Sequence, residues 1–231
     1  MRARDLMSDG VMSVSAEASV LEAAKLFINC HVSAMPVVDD HGRMVGIVSE
    51  ADLINPKTAE RTGLFACAAD DPDSAIDRAD ATASKVTDFM SSSVISASED
   101  TPLPELAALM TRHHVKRLPI VRDGAVVGIV SRADLLRALV ALHSHRGIEG
   151  GRFGRDDQIR RDIAAACQGR NWSLAKQLDV VVSGGVAHLW GVAPSEIVRK
   201  AYEAAAGNVP GVRAVEVHMH VVPPAPIRIG L

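Results

Sequence analysis

The sequence predicts a mixed chain, with α+β and α/β features together. Two pseudo-symmetric β-α-β-β-α repeats are expected, followed by a smaller α-β-β-α-β domain. Three observations carry that prediction. "GIVSEADL" (Gly46 to Leu53) returns as "GIVSRADL" (Gly128 to Leu135), differing only at Glu50 and Arg132. The flanks repeat as well: "VSAMPVVDDHGRMVGIVSEADL" lies over "VKRLPIVRDGAVVGIVSRADL", with Pro36 on Pro119 and no counterpart for His41. Past "HSHRGIEGGRFGRDD", rich in glycine and charge, the pattern changes to alternating apolar runs around a Gly-Gly turn,.

Within each copy the elements follow from spacing. Val20, Ala23, Ala24 and Phe27 recur at helical intervals, as do Leu103, Leu106, Ala107 and Met110,. Ser19 and Glu22 read as a capping pair for the first helix, and Thr101-Pro102 as the cap and first turn of its equivalent. A short strand precedes each helix. Two strands follow, joined by "DDHGR" or "RDG", a hairpin signal,. Pro36 and Pro119 are placed near strand starts, where a missing N–H does least harm. An insertion such as His41 is cheapest at such a turn. The expected segments are residues 1–54 and 86–142 for the copies, 55–85 and 143–156 for linkers, 157–222 for the last domain and 223–231 for an extended tail. The acidic stretch 55–85 reads as a solvated connection with a helical piece near 57–68. The tail "PPAPIRIGL" is proline-rich and extended,.

Composition narrows the function classes. The chain has 231 residues, 48% of them apolar and 23% charged, with a net charge of -3. That is enough for a substantial core and more than one domain. The charge gives no basic footprint for nucleic acid, and an aromatic content of 3% leaves few stacking platforms,. No nucleic-acid partner is expected. "MRARDLMSDG" leads into no apolar h-region, and no run is long enough to cross a bilayer,. The three cysteines, Cys30, Cys67 and Cys167, are odd in number and far apart. They fit buried or free thiols in a reducing cytoplasm, the expected location, with membrane association left open, and Cys30 and Cys167 fall in apolar helical patterns as packing residues.

Ser49 and Ser131 fall where a strand passes into a helix, with Asp52 and Asp134 one turn later. One reading is a pair of capping boxes, each stabilising its helix by about 1 kcal/mol. The other is a nucleotide site. Free amides and a hydroxyl at a helix start would face phosphate, while the carboxylate accepts from vicinal ribose hydroxyls. The S-x-x-D pattern fits both.

The combination of "HVSAMPVVD", a Gly-bearing hairpin and "GIVSEADL" with "HVKRLPIV" and "GIVSRADL" resembles a tandem pair of cystathionine-β-synthase (CBS) domains. The resemblance covers residue 1 to about 142. It implies a pseudo-twofold pair that dimerises further and binds AMP, ATP, NAD or S-adenosylmethionine in crossed clefts. One cleft would use Ser49 and Asp52 with Ile95, Val115, Lys116, Arg117 and Pro119. The other would use Ser131, Arg132 and Asp134 with Met12, Val32, Ser33, Ala34 and Pro36. Lys116 and Arg117 bring two positive charges to the first cleft, so phosphorylated ligand is expected there. A solvated strand edge is the plainer account of the same two charges.

In the last third, "LDVVVSGGVAHLWGVA" reads as a hairpin about Ser183-Gly184-Gly185, and "SEIVRKAYEAAAGNVPG" as a helix opened by Ser195. "VRAVEVHMHVV" alternates as a final strand. This order, with "AAGNVPGVRAVEVHM", resembles a BON domain over about 157–222. The resemblance implies attachment to phospholipid or another surface and no catalytic residues.

Among the nine histidines, His218 and His220 share a strand face, but no pair has a third ligand at a recognised spacing,. No metal and no catalytic residue is therefore expected. G-x-S-x-G, P-loop and H-E-x-x-H patterns do not occur,. The expected function is a non-enzymatic regulatory sensor of adenine nucleotides that needs no cofactor, with the last domain transmitting or localising the signal, homodimerisation through the repeats, and a phospholipid or protein partner for the last domain. The competing expectation is a structural or envelope- or lipid-associated adaptor in which the repeats serve mainly as a dimerisation platform. A regulatory subunit for a separate enzyme or transporter is a third.

Overall fold

The computed structural model describes residues 1–55, 84–144, 153–167 and 178–222. The helical piece expected near 57–68, most of the 168–178 connection and the tail 223–231 lie outside the described residues. Over the first copy run β1 (Val14–Ser15), α1 (Val20–Cys30), β2 (Ala34–Val38), β3 (Met44–Ser49) and α2 (Glu50–Leu53). The second copy supplies α3 (Leu103–Arg112), β4 (Arg117–Arg122), β5 (Ala125–Ser131) and α4 (Arg132–Ser144). The last third forms α5 (Phe153–Cys167), β6 (Leu178–Ser183), β7 (Val186–Ala193), α6 (Glu196–Gly207) and β8 (Ala214–Val221).

The chain divides into two compact units that do not follow the repeat boundaries. One comprises Asp9–Glu99 and Arg112–Ile129; the other comprises Met1–Ser8, Asp100–Thr111 and Val130–Leu231. The helices of the second copy thus belong with the C-terminal domain, whereas β4 and most of β5 belong with the first copy.

In the unit holding the first copy, β1 pairs parallel to β2, and β2 antiparallel to β3, in the order β1-β2-β3. Ser19 opens α1 as its spacing predicts: its Oγ accepts from the Glu22 amide at 3.2 Å, and the Glu22 carboxylate accepts from the Ser19 amide at 2.8 Å. The helix stops at His31, which takes the left-handed conformation at φ 51°. Val20, Ala23 and Phe27 pack on Val14, Met35, Val37, Val48 and Val86. Full burial of each of these larger apolar side chains stabilises by about 1.5–3 kcal/mol.

Pro36 is the third residue of central strand β2, not its first. It is tolerated because its partner Ile47 directs both backbone groups elsewhere, exchanging bonds of 3.0 and 2.9 Å with Ser91. The glycine of "GIVS" has a packing cause too: a Cβ on Gly46 would lie 2.3 Å from the Met90 sulfur and 3.1 Å from the Ser91 carbonyl. Among the described residues, the opening strand of the second copy is reduced to a parallel bridge between Ala97 and Ile120. The two hairpin turns differ as the inserted His41 requires. Asp123-Gly124 is a two-residue turn with both φ positive, whereas Asp39 holds the longer turn by accepting from the amides of His41 and Arg43,.

The other unit contains the sheet β6-β7-β8, antiparallel then parallel. Helices α5 and α6 cover one face through Ile159, Ile163, Cys167, Tyr202 and Ala206 against Val182, Ala187, Leu189 and Met219. On the other face Val181 packs with Leu6 and with Ala138 and Ala141 of α4. Gly184 and Gly185 form the predicted tight turn, at φ 58° and 81°. The buried Asp156 carboxylate accepts from both of their amides, at 2.8 and 2.9 Å. Ser195 caps α6 as expected, accepting from Val198. Helix α3 begins one residue later than predicted. The Pro102 carbonyl accepts from Glu105 and Leu106, so Pro102 takes the flanking place expected of Thr101.

Candidate ligand site

Both S-x-x-D sequences fold into capping boxes. Asp52 Oδ2 accepts from the Ser49 amide at 2.8 Å and from its hydroxyl at 2.6 Å, while Ser49 Oγ receives the Asp52 amide at 3.4 Å. Asp134 makes the same set with Ser131, at 2.7, 2.7 and 3.4 Å. Helix α2 has only four residues, so little dipole stands behind Ser49,. Its first amides are engaged as well: Glu50 donates to the Ser33 carbonyl at 3.1 Å, and Asp52 to Ser49. With two of its first three amides engaged, this end relies chiefly on side chains to attract an anion.

One such side chain is in place. Arg117 donates to the Ser33 hydroxyl at 2.7 Å, and Ser33 already holds the start of α2 through its carbonyl. Arg117 is therefore linked through Ser33 to the Glu50 amide, the residue between Ser49 and Asp52, so the basic segment of the second copy meets the S-x-x-D of the first within a single unit. Ala34 stands opposite Ser49 in the β2–β3 ladder. Lys116 is exposed, Val115 and Ile95 are half-buried, and Pro119 is buried with its carbonyl accepting from Ala97 at 3.0 Å. Sequence reasoning put Ser33 and Arg117 in different clefts; the structure bonds them to each other.

The second set is divided. Ser131, Arg132 and Asp134 belong to one unit, and Met12, Val32, Ser33, Ala34 and Pro36 to the other. Met12 is exposed, Val32 is half-buried and Pro36 is buried. Asp134 is itself buried, and its second oxygen accepts from Arg137 at 2.6 Å. Arg137 also reaches Asp179 of β6 at 2.7 Å. Burial raises the Asp179 carboxyl above its ordinary value against the lowering pull of Arg137, with Asp134 adding to the rise. A signal for this clamp was present in the sequence. Arg137 follows Asp134 by three residues, the spacing of a helical ion pair, whereas the matching residue after Asp52 is Asn55,.

Known families account for both parts of the chain. A CBS domain model matches residues 3–56 and 86–141, and a BON domain model matches residues 155–223. The chain is a tandem CBS-domain protein with a C-terminal BON domain. YlbB, an uncharacterised protein of Bacillus subtilis, is 32% identical over 133 residues, which are 57% of this chain and 78% of YlbB. The L-aspartate semialdehyde sulfurtransferase of Methanocaldococcus jannaschii is 29% identical over 58% of this chain, yet the match spans only 22% of that enzyme. The crystal structure of the CBS domain of a membrane protein from Sphaerobacter thermophilus is 28% identical, with a TM-score of 0.50, over 59% of this chain and 86% of that one. The CBSX2 protein, solved in complex with AMP, is 27% identical, with a TM-score of 0.48, over 62% of this chain and 98% of that one. Among the described residues, no helix is long and apolar enough to cross a membrane.

Proposed function

We propose that this CBS–BON protein is a non-catalytic sensor of adenine nucleotides, with its working site at Ser49 and Asp52. The observation that carries this reading is the link from Arg117 through Ser33 and the Glu50 amide to the Ser49–Asp52 capping box, which brings a guanidinium of one CBS repeat to the S-x-x-D of the other. In this reading Asp52 accepts from the ribose hydroxyls and Lys116 and Arg117 face phosphate. Ile95, Val115 and Pro119 supply apolar contact for adenine. The second set, around Asp134 and Arg132, is the weaker site, because a ribose there must displace Arg137 from a buried carboxylate. That displacement also frees Asp179 of the BON domain, a route by which ligand in the CBS pair reaches the C-terminal domain. Ligand shifts this equilibrium only to the extent that it favours one arrangement.

Calorimetry of nucleotide-free protein with AMP, ATP, NAD and S-adenosylmethionine tests the reading. Asp52→Asn is expected to weaken every ligand that binds by about 10–100-fold, the worth of a charge-assisted hydrogen bond. Arg117→Ala is expected to weaken the phosphorylated ligands selectively. Absence of heat with all four overturns the proposal.

A second reading, a homodimeric adaptor, is favoured by the outer face of α4, where Leu136 and Leu139 are 65% and 61% exposed and Val140 and Leu142 lie beside them. A stripe at this spacing fits a second copy of the CBS pair. Leu139→Glu is expected to convert a dimer to monomer in light scattering. Liposome co-sedimentation with and without the residues after Gly154 tests phospholipid attachment by the BON domain.

A further inference from the structure

The face of the BON sheet that carries Val181 also carries a cluster that no nucleotide reading uses. Parallel pairing of β7 with β8 sets His188 opposite Glu216 and Trp190 opposite His218, so all four side chains share one face,. His188 Nδ1 stands 3.1 Å from His218 Nε2 and 3.3 Å from Glu216 Oε2, and the last two atoms are 3.7 Å apart. We propose that His188, Glu216 and His218 form a binding site for a zinc-class divalent transition metal ion.

The triangle has the right size. With ligands at about 2.0–2.1 Å, a tetrahedral ion holds its donor atoms roughly 3.3–3.4 Å apart, the middle of the three observed separations. A point about 2.0 Å from all three atoms exists just at the plane they define, so coordination needs little movement of the side chains,. The donor set is that of zinc: two imidazoles and one carboxylate, with the fourth position left to water. Two ligands are also held before any ion arrives. His188 is fully buried in the sheet, and the Trp190 ring stacks on His218 at 4.1 Å between centroids. Glu216 and His218 remain 39% and 27% exposed, which leaves an entry path. An ion here would tie β7 to β8 across their ladder and present an open coordination position on the BON surface.

The test uses the full metal-free chain in a Trp172→Phe background, so that Trp190 is the sole indole reporter. Zinc is titrated by calorimetry, and cobalt(II) by its visible absorption and its quenching of Trp190. One equivalent per chain is expected, with tetrahedral cobalt absorption and quenching of Trp190. His218→Gln and Glu216→Gln, both at partly exposed positions, are each expected to weaken zinc on the order of 100-fold. His220→Gln is expected to leave it unchanged, although His220 lies on the same face. Either of two results overturns the proposal: zinc fails to bind at one equivalent, which leaves a shared-proton network among the three groups, or binding survives both cluster substitutions and so belongs to other histidines.

Discussion

Arg137 joins the second CBS repeat to the BON domain, and Arg137→Met isolates what that joint contributes. Methionine retains most of the apolar stem and removes the guanidinium, so the change is electrostatic rather than steric. Asp134 would keep its two bonds from Ser131 but lose the 2.6 Å contact to its second oxygen while remaining buried. Breaking a fully buried ion pair costs about 3–5 kcal/mol. Arg137 is 24% exposed, and the Ser131 bonds still satisfy half of the carboxylate, so about 2–3 kcal/mol is expected here,. The arm to Asp179 adds less, about 0.5–1 kcal/mol, because the Asp179 side chain is 42% exposed,. Amide hydrogen exchange reads both arms as opening free energies of α4 and β6. Double-mutant cycles with Asp134→Asn and Asp179→Asn separate them. The larger coupling should belong to Asp134, and Arg137→Met should lower protection in β6 as well as in α4. Additive effects within about 0.3 kcal/mol in both cycles would refute the claim that the clamp links the two domains.

Two further outcomes follow from buried carboxylates. Asp156→Ala removes the acceptor shared by the Gly184 and Gly185 amides and is expected to destabilise the BON domain by about 3 kcal/mol, read in urea melts and as accelerated exchange of those two amides,. Asp5 has its carboxyl raised above the ordinary value, by burial first and by Asp157 and Asp156 in addition, against the Arg2 amide and the N-terminal charge. Its folded form therefore binds protons more readily than its unfolded form. Stability falls as pH rises from the ordinary carboxylate value through the raised one, and the loss persists above it. Asp179 acts in the same direction. Asp5→Asn should thus match the parent in acid and exceed it at neutral pH; a variant no more stable at pH 7 than at pH 3, relative to the parent, removes the basis for this sign.

Much of the fold was legible because its cues are local. The Ser19–Glu22 pair, the Gly184-Gly185 turn and the Ser195 cap each depend on residues a few positions apart, and each forms as its spacing predicts. The capping half of the S-x-x-D reading was legible for the same reason. Local cues failed where a distant partner decided the outcome. Pro36 sits inside a strand because Ile47 turns its backbone toward Ser91. Asp179 joins the Arg137–Asp134 pair from β6, a contact that no local spacing announces.

The sequence by itself determined the duplicated architecture and the third domain, since periodicity, caps and turn residues act over a few positions and were written twice. Only the tertiary structure decided that Arg137 also reaches Asp179, that Ser33 bridges Asp52's repeat to Arg117, and that His188 meets Glu216 and His218. Strand register and cross-element pairing bring residues together with no trace in their spacing along the chain, so the chemistry of those meetings appears only when the sheets have formed.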